Sequence, residues 1–440
     1  MIYALGRGSL ASWDEALYAS VAKDIFLTGD WLHFKTCGDL WFDKPPLCIW
    51  MTALFYKLFG MNEFSSRLFS ATCGAGVVLV TYALGRELLD RWTGFWGALV
   101  LLSSLHFFRF ARFGMMDAPL TFFLSLALYF FWKGQTKTRY FVFSGVALGF
   151  AILTKGLAAL FMFPIAGLYL CFTGRLDILK RRSCWVGVAT AFAIALPWFI
   201  YQAVVFKEIF LESVLFRHLW TRTTSILDGH SGNLYFYVRV LVNKYHPWIL
   251  VGILSAPYFL FKAVKDREEE VVFLTVWMFF IFSAVTLMRT KLAWYIYPVY
   301  PPLSLSVGHW MAKMFRERYA VHVRVFFIIL MAIHVPYSHI FNQDYSADLK
   351  GIAPIVKKEV PKEKYLYLYN SHESPAVCFY LDRRAAYLDD KEHWTAALGE
   401  NGFYALVREA SLKELSPDLK KSGLTVLGSF SDLLLVAKKN

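Results

Sequence analysis

The sequence predicts an α-helical polytopic membrane protein, and composition is the first observation behind that prediction. Hydrophobic residues make up 57% of the 440 positions and charged residues only 18%, and the chain contains 41 Phe, 24 Tyr and 15 Trp. Soluble globular chains are about 45–50% apolar and about 25% charged. A chain this apolar has ample surface to bury, which excludes disorder. Its six cysteines are sparse and form no CxxC pair, which excludes a disulfide-rich scaffold.

The chain carries a net charge of +13, which can indicate either a nucleic-acid partner or the basic cytoplasmic loops of a membrane protein. It contains no glycine-rich phosphate-binding loop and no aromatic RNA-binding motif. We therefore expect no nucleic-acid partner and assign the charge to membrane topology.

Long apolar stretches are the second observation, because a helix that crosses a bilayer needs roughly 17–25 mostly apolar residues. Ten stretches are candidates, of which the fourth and fifth are short and separated by a break at Thr154-Lys155-Gly156. The predicted spans are Ser65–Gly85, Trp92–Phe110, Met115–Trp132, Tyr140–Leu153, Leu157–Phe172, Cys184–Phe206, Tyr245–Phe261, Val271–Leu287, Leu292–Met311 and His322–Phe341.

The connections between these spans alternate in charge. Lys and Arg concentrate in every second connection, for example 86–91, 133–139 and 175–182, whereas the intervening short connections hold few. Cytoplasmic loops carry the excess of positive residues. This rule places residues 1–64, the loop around 207–244 and the tail from about 342 outside the cytoplasm.

One further apolar stretch, Pro45–Gly60, would reverse this topology if it crossed the membrane. It is about 16 residues long, which is marginal for a span, and its two prolines suit the first turn of a helix. Counting it as a span would also place Asp117 in the cytoplasm and invert the charge bias. We therefore interpret it as a helix that lies at the outer interface, for a total of about 10–11 transmembrane helices.

The tail differs in composition from the rest of the chain. From Tyr345 onward, short strand-like stretches (Tyr365–Tyr369, Phe403–Val407, Thr425–Leu427 and Leu433–Ala437) alternate with charged helical stretches such as Asp390–Leu398 and Ser411–Leu419. This alternation predicts a small α/β domain. The expected division is an outer loop with interfacial helices at 1–64, a transmembrane domain at 65–341 and an outer α/β domain at 342–440.

Polar residues that could carry chemistry lie in the connections assigned to the outside. A carboxylate there can act as a general base toward a hydroxyl, and basic side chains can hold a phosphate through charge-assisted hydrogen bonds. Each also has a structural interpretation, because an acid can cap a helix and a lysine can snorkel to the membrane surface. The candidates are Asp14, Glu15, Asp43, Lys44, Asp117, Lys155, Arg217, His218, Arg222, His230, Arg289, Lys291 and Tyr295.

Six segments, taken in order, resemble those of one enzyme family. They are WDEALYASVAKDIFLTGDW, LWFDKPPL, RFGMMDAPL, ILTKG, GHSGNLYFY and RTKLAWYIYPVYPPLSL. The chain resembles the polyprenyl-phosphate-sugar-dependent membrane glycosyltransferases, relatives of protein O-mannosyltransferases and of the lipid A aminoarabinose transferase. The resemblance covers nearly the whole chain, and it implies the C-type glycosyltransferase fold with an outward active site.

The resemblance also implies roles for individual residues. Asp14 is the candidate general base with Glu15 beside it, and Asp117 is a second catalytic acid that lines the pocket. The candidates for binding the donor phosphate are Lys44, Tyr295, Arg222 and Lys291. Some members of the family bind a divalent metal ion, for which Asp43 and His218 are the candidate ligands here; no other cofactor is implied.

The implied reaction is an inverting transfer of a sugar from a polyprenyl-phosphate donor to a hydroxyl of a cell-envelope acceptor, such as lipid A or another glycolipid or glycan. A protein Ser or Thr acceptor, as in O-mannosylation, is the alternative with the same chemistry. A transporter or flippase is an alternative of another class, but its charges should lie in mid-span, and here they cluster at outer helix ends. The expected location is the bacterial inner membrane, with the active site and C-terminal domain in the periplasm.

The start of the chain departs from the family pattern. Relatives have a transmembrane helix immediately before the Asp-Glu motif, whereas only thirteen residues, MIYALGRGSLASW, precede Asp14. We expect that the natural start lies upstream and that Met1–Leu10 is the remainder of that helix.

Overall fold

The computed structural model describes residues 1–212, 231–315, 344–369, 374–400, 402–415 and 423–438, together with residues 321, 325, 328 and 329. The chain forms two compact units. We call Met1–Leu5, Phe42–Cys48 and Arg67–Ile340 the helical unit, and Gly6–Trp41, Ile49–Ser66 and Phe341–Asn440 the mixed unit. The mixed unit thus combines segments 6–41 and 49–66 with the tail. The three-part division at 64 and 341, and the outside location of the first segments, stay predictions.

Helices account for the helical unit. The α-helices are Glu63–Leu88, Arg91–Ser103, Leu105–Ala111, Asp117–Gly134, Tyr140–Lys155, Met162–Thr173, Arg182–Leu211, Phe236–Lys244, Ile249–Lys265, Glu269–Leu287 and Tyr300–Met314, and 3-10 helices cover Gly156–Phe161, Leu176–Lys180 and Ala293–Val299. Nine of the ten predicted spans coincide with these helices, and the tenth, His322–Phe341, falls almost entirely outside the described residues. The prediction of a polytopic helical protein is confirmed.

Four helical stretches in the described part of the chain are long and apolar enough to cross a membrane: Glu63–Leu88, Tyr140–Thr173, Arg182–Leu211 and Glu269–Leu287. A fifth is available if Arg91–Ser103 and Leu105–Ala111, which meet at 69°, form one broken span. The total of 10–11 crossings stays a prediction.

The stretch 140–173 doubles back on itself. Tyr169 Oη, near its end, donates to Gln135 Oε1 just before its start, at 3.1 Å. A straight helix of this length would separate those two residues by about 50 Å. The reversal falls at Gly156, whose φ of +58° suits a glycine, so the predicted break at Thr154-Lys155-Gly156 is confirmed.

Glycines allow the closest helix approaches, as is usual in membrane helix packing. A Cβ on Gly145 would overlap the carbonyl oxygen of Gly187 on helix Arg182–Leu211. We expect Gly145→Ala to lower the stability of the detergent-solubilised protein by about 1–3 kcal/mol, because overpacking shifts both helices. Thermal melting measures the change, with Gly167→Ala as the matched control, since a Cβ there meets nothing within 4 Å. Equal melting temperatures for Gly145→Ala and Gly167→Ala would contradict the close approach of these two helices.

A five-stranded sheet forms the core of the tail, where the sequence predicted a small α/β domain with four strands. Its order is Ala385–Leu388, Leu366–Tyr369, Tyr404–Arg408, Leu433–Lys438 and Leu424–Phe430; the first three strands are parallel and the last two antiparallel. The helices are Ala347–Glu359, Ala376–Tyr380, Lys391–Ala397 and Glu409–Leu415. Buried Trp394, Phe403 and Val436 belong to one apolar cluster. Strand Ala385–Leu388 was not predicted, because two of its four residues are alanines, which disfavour strands.

Secondary structure also forms in the first 60 residues of the chain. Helix Asp14–Thr28 is followed by a two-stranded ribbon of Lys35–Thr36 and Asp39–Leu40. Helix Leu47–Phe59 confirms the predicted helix within Pro45–Gly60, whereas its interfacial position stays a prediction. A disulfide joins Cys37 to Cys378, 341 residues apart. The chain is therefore not a disulfide-rich scaffold but does contain one long-range bridge that its cysteine spacing did not reveal.

Candidate functional site

The mixed unit presents Asp14 in the first turn of helix Asp14–Thr28. An acid at this position is stabilised by the helix dipole. Asp14 is half-buried, and within the described residues no group hydrogen-bonds to its carboxylate. A carboxylate in this state can accept a proton from a hydroxyl that approaches it.

Glu15 is placed differently from its neighbour. It is 2% exposed, and its Oε2 accepts a hydrogen bond from the backbone amide of Ala11 at 2.7 Å. Glu15 therefore stabilises the chain where it enters the helix, and its predicted place beside the general base stays a prediction.

The helical unit brings Asp117 and Lys155 together. Asp117 begins helix Asp117–Gly134, Lys155 ends helix Tyr140–Lys155, and the two side chains form an ion pair of 2.6 Å. Their side chains are only 5% and 13% exposed. The sequence indicated each residue but not the pair. The two consecutive helices have similar lengths, 18 and 16 residues, so an antiparallel arrangement would have brought the start of the first to the end of the second.

This ion pair lies far from the basic connections. Lys133 is in the last turn of helix Asp117–Gly134, so it is separated from Asp117 by most of a helix about 27 Å long. The pair is therefore at the end of the helical unit opposite the residues that the positive-inside rule assigns to the cytoplasm.

We expect Lys155→Met to destabilise the protein by about 3 kcal/mol, because it removes the cation that faces the buried Asp117 carboxylate. Asp117→Asn/Lys155→Met removes both charges and should recover part of the loss. Thermal melting of the two variants tests this expectation, and a double variant no more stable than Lys155→Met would contradict it.

Two tyrosines flank the ion pair. Lys155 Nζ lies 5.1 Å from the centroid of the Tyr295 ring, a cation–π geometry. Burial raises the pKa of Tyr237, and the nearby Tyr295 and Asp117 raise it further. Tyr237 Oη donates to the Leu292 carbonyl at 3.1 Å. Tyr237 was not among the predicted site residues, although it belongs to the GHSGNLYFY segment.

Lys291 caps the end of helix Glu269–Leu287. Its ammonium donates to the carbonyls of Thr286 and Met288, the latter at 2.8 Å. It also lies 5.7 Å from the Tyr237 ring centroid. Burial lowers the pKa of Lys291. Two of its three N–H donors are thus used within the protein, and its role as a phosphate ligand stays a prediction.

The segment Phe42–Cys48 lies against the turn that follows Lys155. Pro45 Cγ is 3.7 Å from the position that a Cβ of Gly156 would take. Lys44 is half-buried, and its Nζ donates to the Asp43 carbonyl at 3.1 Å. The structure therefore places Lys44 on a segment that packs beside the Asp117–Lys155 pair. We call Lys44, Asp117, Lys155 and Tyr295 the outer polar group, a name that follows the topology predicted from the sequence.

Four of the predicted residues precede Phe236 in the sequence. His218 and Arg222, like Arg217 and His230, lie outside the described residues. In the described part of the chain, no three His, Cys, Asp or Glu residues come together as they would to hold a metal ion. Among the residues that the structure describes, the predicted ligand Asp43 therefore has no such set around it, and we derive no chemical step through a metal.

Comparison with known proteins identifies related sequences. A family profile described as dolichyl-phosphate-mannose-protein mannosyltransferase matches residues 43–201. The undecaprenyl phosphate-alpha-4-amino-4-deoxy-L-arabinose arabinosyl transferase of Pseudomonas aeruginosa is 31% identical over 71% of this chain and 57% of its own length. An uncharacterized protein of Aquifex aeolicus is 30% identical over 70% of this chain and 61% of its own length. The chain thus spans about three-fifths of the length of these relatives.

Solved structures share the fold. ArnT from Cupriavidus metallidurans, in a crystal structure with bound undecaprenyl phosphate, matches 99% of this chain and 95% of its own at a TM-score of 0.79 and 21% identity. The oligosaccharyltransferase of Archaeoglobus fulgidus matches 92% of this chain and 66% of its own, with a TM-score of 0.57 and 13% identity. These matches confirm the predicted C-type glycosyltransferase fold.

Proposed function

We propose that this chain, which belongs to the family of polyprenyl-phosphate-sugar-dependent membrane glycosyltransferases, transfers a sugar from a polyprenyl phosphate to a hydroxyl of a cell-envelope lipid. The observation that carries the proposal is the outer polar group. It combines two lysines with a buried carboxylate and a tyrosine at one end of the apolar helices. Lysines at such a position suit a phosphate whose lipid tail lies in the bilayer.

The donor phosphate is assigned to Lys44, with Lys155 and Tyr295 beside it. A polyprenyl phosphate leaves with increased negative charge, so cations positioned near its oxygens lower the barrier. Arg222 and Lys291 are proposed as further contacts to the same phosphate.

Asp14 is assigned to the acceptor. It takes the proton of the acceptor hydroxyl while the hydroxyl oxygen forms a bond to the anomeric carbon. The bond from that carbon to the phosphate oxygen breaks, and the polyprenyl phosphate departs with the electron pair. Attack from the face opposite the phosphate inverts the configuration, and Asp14 then passes its proton to water.

The acceptor is proposed to be lipid A, because the six segments resemble those of the lipid A aminoarabinose transferase. The name of the Pseudomonas aeruginosa relative, which specifies an undecaprenyl-phosphate donor and a 4-amino-4-deoxy-L-arabinose sugar, agrees with such a transfer. A protein hydroxyl is the second candidate, since the matching family profile is described as a protein mannosyltransferase. The chemistry at Asp14 is the same for both acceptors.

The site is proposed to face the periplasm from a bacterial inner membrane. The Cys37–Cys378 disulfide supports this orientation, because disulfides persist in oxidising compartments and are rare in the cytosol. The outer polar group also lies at the end of the helical unit opposite the basic connections, which agrees with a periplasmic site.

Mass spectrometry of the envelope from cells with and without the gene tests the proposal. We expect a lipid A species carrying one additional sugar only when the gene is present. A new glycopeptide in place of that lipid would assign the protein acceptor, and unchanged lipids and glycoproteins would contradict the proposed function.

A further inference from the structure

The helix that carries Asp14 is held by a short segment of the C-terminal domain within the mixed unit. Lys23 lies on that helix, is 4% exposed, and donates from Nζ to the carbonyls of Cys378 at 3.1 Å and Phe379 at 3.0 Å. The same ammonium pairs with Asp382 Oδ1 at 2.9 Å. The Lys23 ammonium thus bonds to two residues in the last turn of helix Ala376–Tyr380 and to Asp382 just after it.

A covalent bond reaches the same segment. Cys37, in the turn of the two-stranded ribbon after the Asp14 helix, is bridged to Cys378, with the Cα atoms 5.5 Å apart. This separation is the usual one for a disulfide. Cys378 therefore contacts the first outer loop twice, through its sulfur to Cys37 and through its carbonyl to Lys23.

A third link lies just before Asp14 in sequence. The Leu10 amide donates to Tyr380 Oη at 2.8 Å, and that hydroxyl donates to Glu63 Oε1 at 3.0 Å. The Ser20 hydroxyl, on the Asp14 helix, donates to the Ala16 carbonyl at 2.8 Å and also lies 3.2 Å from the Pro375 carbonyl. The segment 375–382 thus contacts the chain before Asp14, along the Asp14 helix and after it.

We propose that segment 375–382 is a positioning element for Asp14 and that the Cys37–Cys378 disulfide fixes it, so that sugar transfer depends on the oxidised state of this bridge. The inference rests on the proposed role of Asp14. A misplacement of about 1 Å at a reacting group can lower a rate about 100-fold. Once the disulfide is reduced, hydrogen bonds and the Lys23–Asp382 ion pair are left to hold the segment. We therefore expect Asp14 to shift from its reactive position when the bridge is lost.

The test compares the full-length protein in proteoliposomes in its oxidised form, after dithiothreitol, and as Cys37→Ser/Cys378→Ser. Dithiothreitol breaks the S–S bond to leave two thiols and is itself oxidised to its cyclic disulfide. We expect kcat to fall about 10-fold or more in both cases, with KM for the polyprenyl donor within about twofold, because Lys44 and Lys155 belong to the helical unit. Dithiothreitol should not slow the double variant further.

Cys171→Ser is the matched control, since Cys171 is an exposed free cysteine, and it should behave as the wild type in every arm. Dithiothreitol acts on already folded protein, so a folding defect of the double variant does not obscure the result. Turnover of reduced protein within twofold of the oxidised form would overturn the positioning role, as would a parallel rise in donor KM. Absence of transfer by oxidised wild type would instead overturn the proposed function, and this inference with it.

Discussion

Asp14→Asn is expected to reduce sugar transfer about 100- to 10,000-fold, the range that a general base contributes. An amide cannot take the proton of the acceptor hydroxyl, but it has nearly the same size and retains the first-turn position of the helix. Donor binding should change little, because the residues assigned to the phosphate lie in the other unit. Single-turnover transfer from a radiolabelled polyprenyl donor measures the effect.

Asp24→Asn is the matched control for this substitution. Asp24 lies on the same helix, is also half-buried, and has no assigned role in the reaction. It should transfer sugar at nearly the wild-type rate. If the Asp14→Asn variant transferred sugar as fast as the Asp24→Asn variant, Asp14 could not be the general base.

Lys44→Ala is expected to raise KM for the polyprenyl donor about 10- to 100-fold. A hydrogen bond to a charged group contributes about 1.5–3 kcal/mol, and Lys44 would make such a bond to the donor phosphate. KM for the acceptor should stay near its wild-type value, because the acceptor carries no group that Lys44 is assigned to bind. Steady-state kinetics with each substrate varied in turn separates the two.

Lys57→Ala controls for the loss of a lysine in the same part of the sequence. Lys57 is exposed and lies 4.9 Å from the Trp31 ring centroid, and it has no role in the proposed reaction. An equal rise in KM for the donor and for the acceptor in Lys44→Ala would contradict the assignment of Lys44 to the phosphate. A rise in donor KM as large in Lys57→Ala would contradict it too.

The sequence predicted most of the helical segments because apolar length is a local property. The stretches around Tyr140–Leu153 and Val271–Leu287 were visible from composition alone, and their ends differ little from the helices Tyr140–Lys155 and Glu269–Leu287. Strand Ala385–Leu388 escaped prediction because its stability comes from pairing with Leu366–Tyr369 and not from its own residues.

The candidate site was predictable as a set of residues but not as an arrangement. Asp117 and Lys155 were each indicated by their position at a helix end, yet their ion pair depends on which helix ends meet. The Cys37–Cys378 bridge depends on contact between segments 341 residues apart, which no local pattern encodes. Lys23 lies in the first of the six resembling segments but was not among the candidate residues, and its role became visible only from its contacts with Cys378 and Phe379.

The central claim is that this chain breaks the bond between a sugar and a polyprenyl phosphate and passes the sugar to a hydroxyl. The most direct measurement reconstitutes the full chain with undecaprenyl-phosphate 4-amino-4-deoxy-arabinose and lipid A, and follows both lipids by mass spectrometry. We expect sugar-modified lipid A and free undecaprenyl phosphate to appear in equal amounts, and both to form about 100- to 10,000-fold more slowly with Asp14→Asn. Movement of the intact donor across the bilayer, with its sugar–phosphate bond unbroken and no modified acceptor, would contradict the claim and indicate a transporter.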